Sequence, residues 1–73
     1  MTEPRLIVRL KSARVERGLT QAELANLVGV SRKTINTVEN GVFTPSTLLA
    51  LMLARVLDLR VEDLFGLSDE AHP

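Results

Sequence analysis

Along most of this chain apolar residues recur at helical spacing, interrupted by residues that start and stop helices. Leu6, Leu10 and Ala13 fit a first helix that Pro4 can open, with Arg14 and Arg17 near its end and Gly18 beyond it. Leu6, Val8 and Leu10 also alternate with period two, so a short strand followed by a helix from about Arg9 is equally compatible with the pattern. Thr20 and Glu23 have the spacing of a capping box and predict a helix from Thr20 to about Val28. Gly29 then allows a sharp turn, and Ser31 caps a third helix that runs to about Asn40 and ends at Gly41. In that helix Ile35 and Val38 face inward, leaving Arg32, Lys33, Asn36 and Thr37 outward. Thr44-Pro45-Ser46 forms another turn and cap, and Thr47 to about Leu57 is apolar almost all round, the pattern of a helix packed on several others. After a break at Asp58–Arg60, Val61 to Phe65 forms a last short helix or turn before Gly66. The expectation is an all-α fold of four to five helices, with the N-terminal strand left open.

The chain has 73 residues, which fits one compact domain, taken as residues 1–67 with a polar, frayed tail at 68–73. It has no cysteine, which excludes disulfides and thiolate metal sites, and only two aromatics, Phe43 and Phe65. The core must therefore be aliphatic. The apolar run Leu48–Ala54 is far short of the roughly 20 residues that span a bilayer, and no signal-peptide pattern opens the chain, so a cytoplasmic protein is expected.

Formal net charge is zero, but it is unevenly placed. Through Gly41 there are seven cations and four anions; from Val42 onward there are two cations and five anions. This polarity suits a molecule that turns its N-terminal half to a polyanion.

The stretch from Gln21 to Gly41 has a further order. Ala25 is small where two helices must cross closely, and Gly29 stands four residues later where the chain must reverse. Leu24, Val28, Val30, Ile35 and Val38 supply the shared apolar face, and Arg32, Lys33, Thr34, Asn36 and Thr37 make the other face polar and donor-rich. The stretch resembles the helix-turn-helix of the Cro/phage-repressor, or Xre, family, and the likeness extends over about Arg9 to Phe65. It implies a lambda-repressor-like DNA-binding domain acting as a transcriptional regulator, most simply a repressor. Such a protein would bind duplex DNA at pseudo-palindromic operators as a homodimer, with the Ser31–Asn40 helix in the major groove. By the same resemblance Arg32, Lys33 and Thr37, with Asn36 beside them, are the base-reading candidates. Arginine or lysine suits guanine O6/N7, and asparagine suits adenine N6/N7. Gln21 is expected to hold a phosphate and brace the start of the recognition helix; Ser31, Thr34, Asn40 and Thr44 are further phosphate candidates. Arg14 and Glu39 are expected to form a partly buried ion pair, and Arg9 and Lys11 to add nonspecific attraction.

Catalytic chemistry finds no support. His72 lies in the polar tail, no nucleophile–base pair or Gly-rich phosphate loop is present, and the acidic residues Glu62, Asp63, Asp69 and Glu70 lack the histidine or cysteine partners of a transition-metal site. No enzyme activity, cofactor or metal is expected. Leu57, Leu59, Leu64, Phe65 and Leu67 offer more apolar surface than so small a core readily hides, and are candidates for a two-fold interface. The alternative is that they close the core. The rival function is an antitoxin-like or other protein-interaction module on the same fold.

Overall fold

The computed structural model describes residues 3–68. The order is β1 (Leu6–Val8), α1 (Leu10–Glu16), α2 (Gln21–Val28), α3 (Arg32–Glu39), α4 (Thr47–Leu57), α5 (Val61–Leu64) and β2 (Phe65–Leu67). The ambiguity at the N-terminus resolves as a strand followed by a helix. β1 pairs antiparallel with β2, in the register Leu6↔Leu67, Ile7↔Gly66 and Val8↔Phe65. β2 was not anticipated. It extends the Val61–Phe65 segment into a ladder that ties the two ends of the domain together, continued by the Ser68 N–H donating to Arg5 O at 2.7 Å. Ser68, assigned from sequence to the tail, is thus buried and part of the folded unit; His72, Asp69 and Glu70 lie outside the described residues.

The helix boundaries follow from the capping residues. Thr20 Oγ1 accepts from the Glu23 N–H at 3.0 Å, and the Glu23 carboxylate accepts from the Thr20 N–H at 2.8 Å, so both halves of the capping box are made. Gly29 has φ 74°, a conformation open to glycine at little cost, and the Val30 N–H returns to Ala25 O at 3.0 Å. This tight reversal lets Ser31 cap α3 only two residues after Gly29. Ser31 and Ser46 cap α3 and α4, accepting from the Thr34 and Leu49 N–H groups, each at 3.1 Å.

The core gathers one stripe from each helix. Leu10, Leu24, Ile35, Val38, Leu53, Leu57 and Leu64 are fully buried, with Ala13 and Ala25 buried among them. Each buried leucine or isoleucine contributes about 1.5–3 kcal/mol relative to exposure. This overturns most of the expected two-fold interface. Leu57 and Leu64 are 0% exposed and Phe65 9%, within a single chain, and Leu59 packs against the same core. Pairing of β1 with β2 folds the C-terminal segment over the core, so these side chains close it. Of the five candidates Leu67 alone is freely exposed, at 69%. Among the described residues no helix is long and apolar enough to cross a membrane.

Candidate nucleic-acid interface

α3 is held from behind by a chain of hydrogen bonds. Arg14, on α1, is buried, and its guanidinium grips Glu39 at the end of α3: Nε donates to Oε2 and Nη2 to Oε1, the latter at 3.2 Å. Arg14 Nη1 also donates to Leu19 O at 2.8 Å. The Glu39 side chain is 1% exposed, so its charge is compensated almost wholly by protein groups. Gln21 Nε2 donates to the same Glu39 Oε1 at 3.0 Å. The chain then passes outward: Asn36 Nδ2 donates to Gln21 Oε1 at 3.5 Å and Asn40 Nδ2 to Asn36 Oδ1 at 2.9 Å. Gln21 thereby braces the middle and end of α3, where the sequence suggested its start.

The outer face of α3 is organised differently. Arg32 and Lys33 are exposed and, among the described residues, make no side-chain hydrogen bond or ion pair. With Gln21 and Asn36 they surround one open depression. Asn36 retains a second amide hydrogen and a second lone pair for an incoming partner. Ser31 and Thr34 satisfy each other locally, Oγ to Oγ1 at 3.0 Å, and Thr37 donates its hydroxyl to Thr34 O at 3.0 Å. Thr37 and Lys33 border a second groove together with Thr34, Val42 and Phe43. Thr44 is exposed and lines a different groove, with Leu6, Pro45 and Leu51. The Arg9 guanidinium lies over Gly66 of β2, where an added Cβ would come within 2.9 Å of Nη1.

A polar, cationic helix face braced through α2, with its apolar face locked in the core, is the arrangement of a helix-turn-helix reading unit. The helix-turn-helix family model matches residues 10–64. This chain belongs to the Cro/C1-type helix-turn-helix family of DNA-binding transcriptional regulators. It is similar to an uncharacterized HTH-type transcriptional regulator of Archaeoglobus fulgidus, 48% identical over 62 residues that cover 85% of this chain and 89% of the relative. Among solved structures it is similar to the restriction-modification controller protein C.AhdI from Aeromonas hydrophila, with a TM-score of 0.71 and 36% identity, covering 75% of this chain and 83% of that one. The SinR/SinI protein complex gives a TM-score of 0.71 at 32% identity, covering 88% of this chain and 60% of that one. The lambda-repressor-like fold expected from sequence is therefore present, with a small two-stranded sheet added to its five helices.

Two features escaped the sequence reading. Arg17 donates from Nε to Leu57 O at 2.9 Å, engaging a carbonyl at the C-terminus of α4, where a cation is favoured. Val42 and Phe43 are exposed at the edge of the α3 face; the signal available was an apolar pair lying outside any helical period directly after Gly41.

Proposed function

We propose that this regulator reads duplex DNA by inserting the exposed face of α3 into the major groove, as a homodimer on a pseudo-palindromic operator, and acts as a repressor in the cytoplasm. The observation that carries this reading is the contrast on α3 between the unpaired, exposed Arg32 and Lys33 and the buried, tethered Glu39. Arg32, Lys33, Asn36 and Thr37 select sequence. The second amide hydrogen of Gln21, the N-terminal amides of α3 and the side chains of Ser31, Thr34 and Asn40 meet phosphates. Selection of bound duplexes from a random pool, then titration at two salt concentrations, tests it. A symmetric consensus with a steep salt dependence is expected; an unselected pool would refute base reading.

For the homodimer, the supporting surface is the outer stripe of α4 with the sheet beside it. Leu48, Leu51, Leu6 and Leu67 are exposed there. Leu51 borders two grooves, one carrying Arg55 and the other Glu62. A two-fold axis near Leu51 would bring each Arg55 toward the opposite charge of the second copy, the self-complementarity that an isologous interface requires. Leu51→Glu is expected to convert the dimer to a folded monomer with weakened operator binding, read by sedimentation. A dimer that survives the substitution would move the interface elsewhere.

A second reading is that the same domain chiefly holds a protein partner. Its support is that one similar structure is a two-protein complex, SinR/SinI, and that the α4 face is apolar. Purification with a second protein at 1:1 ratio, together with no salt-dependent duplex binding, would favour it.

A further inference from the structure

Beside α3 the exposed surface changes from charged to apolar. Val42 and Phe43 follow Gly41 and are 78% and 48% exposed, in a groove whose remaining walls, Lys33, Thr34 and Thr37, belong to α3. The pair is not carried on a loose loop. Both backbone N–H groups donate to Thr37 O, at 2.9 Å from Val42 and 3.1 Å from Phe43, which fixes them to the end of the helix. Thr37 contributes as well. With its hydroxyl donating to Thr34 O, the branch of its side chain left unengaged by the backbone is the methyl group.

The occupant of this groove is constrained by two properties. Lys33 on one wall has no anionic partner among the described residues, which favours a polyanion, and Val42, Phe43 and the Thr37 methyl ask for an apolar group. Duplex DNA provides both at one place, because thymine is the base that presents a methyl group, at C5, in the major groove. The groove is also continuous with the α3 face through Lys33, Thr34 and Thr37. We propose that Val42, flanked by Phe43 and the Thr37 methyl, reads a thymine C5-methyl group at one position of each half-site, next to the base pair met by Lys33. This rests on the major-groove reading above and adds to it a specificity determinant that lies outside the recognition helix.

The test replaces each thymine of a selected duplex, symmetrically in the two half-sites, by deoxyuridine, which removes only the methyl group. Wild-type protein is expected to lose about fourfold in affinity per half-site at one thymine position, the effect of one buried methylene-sized group. Val42→Ser, whose side chain is exposed and whose unfolding midpoint should be unchanged, is expected to bind the thymine and deoxyuridine duplexes equally at that position. In a repeat selection the same variant should lose the thymine preference there and keep the rest of the consensus. Equal wild-type affinity for both duplexes at every thymine would overturn the proposal while leaving base reading by α3 intact, as would retention of the wild-type discrimination by Val42→Ser. A pool that yields no consensus would instead remove the major-groove reading on which the proposal stands.

Discussion

Arg14, on α1, and Arg32, at the start of α3, carry the same guanidinium in opposite situations. Arg14 is buried, bidentate to Glu39 and bonded to Leu19 O; Arg32 is exposed and unengaged among the described residues. The two regions they represent, the back and the front of α3, have different physical requirements. At the back, charge is enclosed and must be matched donor for acceptor, so Glu39 receives Arg14 and Gln21 together. At the front, charge is hydrated and can exchange small counterions for phosphates, or water for base edges, without breaking a bond inside the protein. Burial and pairing, not residue type, separate a cation that builds the helix-turn-helix from one left free to meet the proposed DNA target.

The largest effect should come from breaking the back. Glu39→Ala leaves the Arg14 guanidinium buried without its carboxylate and frees Gln21, and should cost about 3–5 kcal/mol of stability. A single core of this size supplies a total of the same order. Urea denaturation of the variant should show a folded fraction already depleted without denaturant, and an unchanged midpoint would mean that the pair does not hold α3. Replacing both partners by apolar residues of similar volume should restore much of the loss, because no charge is then stranded.

Breaking the front should affect binding alone. Arg32→Ala should unfold at the wild-type midpoint yet bind its selected duplex more weakly by about 1–3 kcal/mol, with little change on random DNA. The salt dependence separates the two roles open to this side chain. A base contact leaves the slope of log affinity against log salt nearly unchanged, whereas a lost phosphate contact reduces it by about 0.9 per half-site. Equal losses on selected and random duplexes would transfer Arg32 to the phosphate-contacting set.

How far these regions could be read from sequence depended on whether a position obeys a local rule. The caps Thr20, Ser31 and Ser46, the reversal at Gly29 and the inward Ile35 and Val38 follow from nearest-neighbour chemistry and period, and stand where expected. The Arg14–Glu39 pair joins residues 25 apart in sequence, and it was accessible only through the family resemblance. β2 was missed because three residues, Phe65–Leu67, are too few to show a period; only their pairing with β1 makes them a strand. The same non-local closure buries Leu57, Leu64 and Phe65, so surplus apolar content at the C-terminal end was real but belonged to one chain's core. The apolar stripe left exposed on α4, Leu48 and Leu51, was hidden in the sequence because a helix apolar all round does not disclose which stripe stays uncovered.

Asn40 lies between the two situations and gives the smallest and most discriminating test. Its side chain is exposed, as at the front, but donates to Asn36 Oδ1 and so ends the bonded chain that starts at Arg14. Removing an exposed side chain of this kind should change stability by no more than about 0.5 kcal/mol, so Asn40→Ala should unfold almost as the wild type does. If the chain orients the Asn36 amide for a base, the variant should still lose preference for its selected duplex, because Asn36 is then held only by its 3.5 Å bond to Gln21. If Asn40 serves only to touch a phosphate, affinity for selected and random duplexes should fall together and the salt slope should flatten. Parallel titrations on the two duplexes therefore decide whether the outer end of the network, from Asn36 to Asn40, contributes to the proposed base reading.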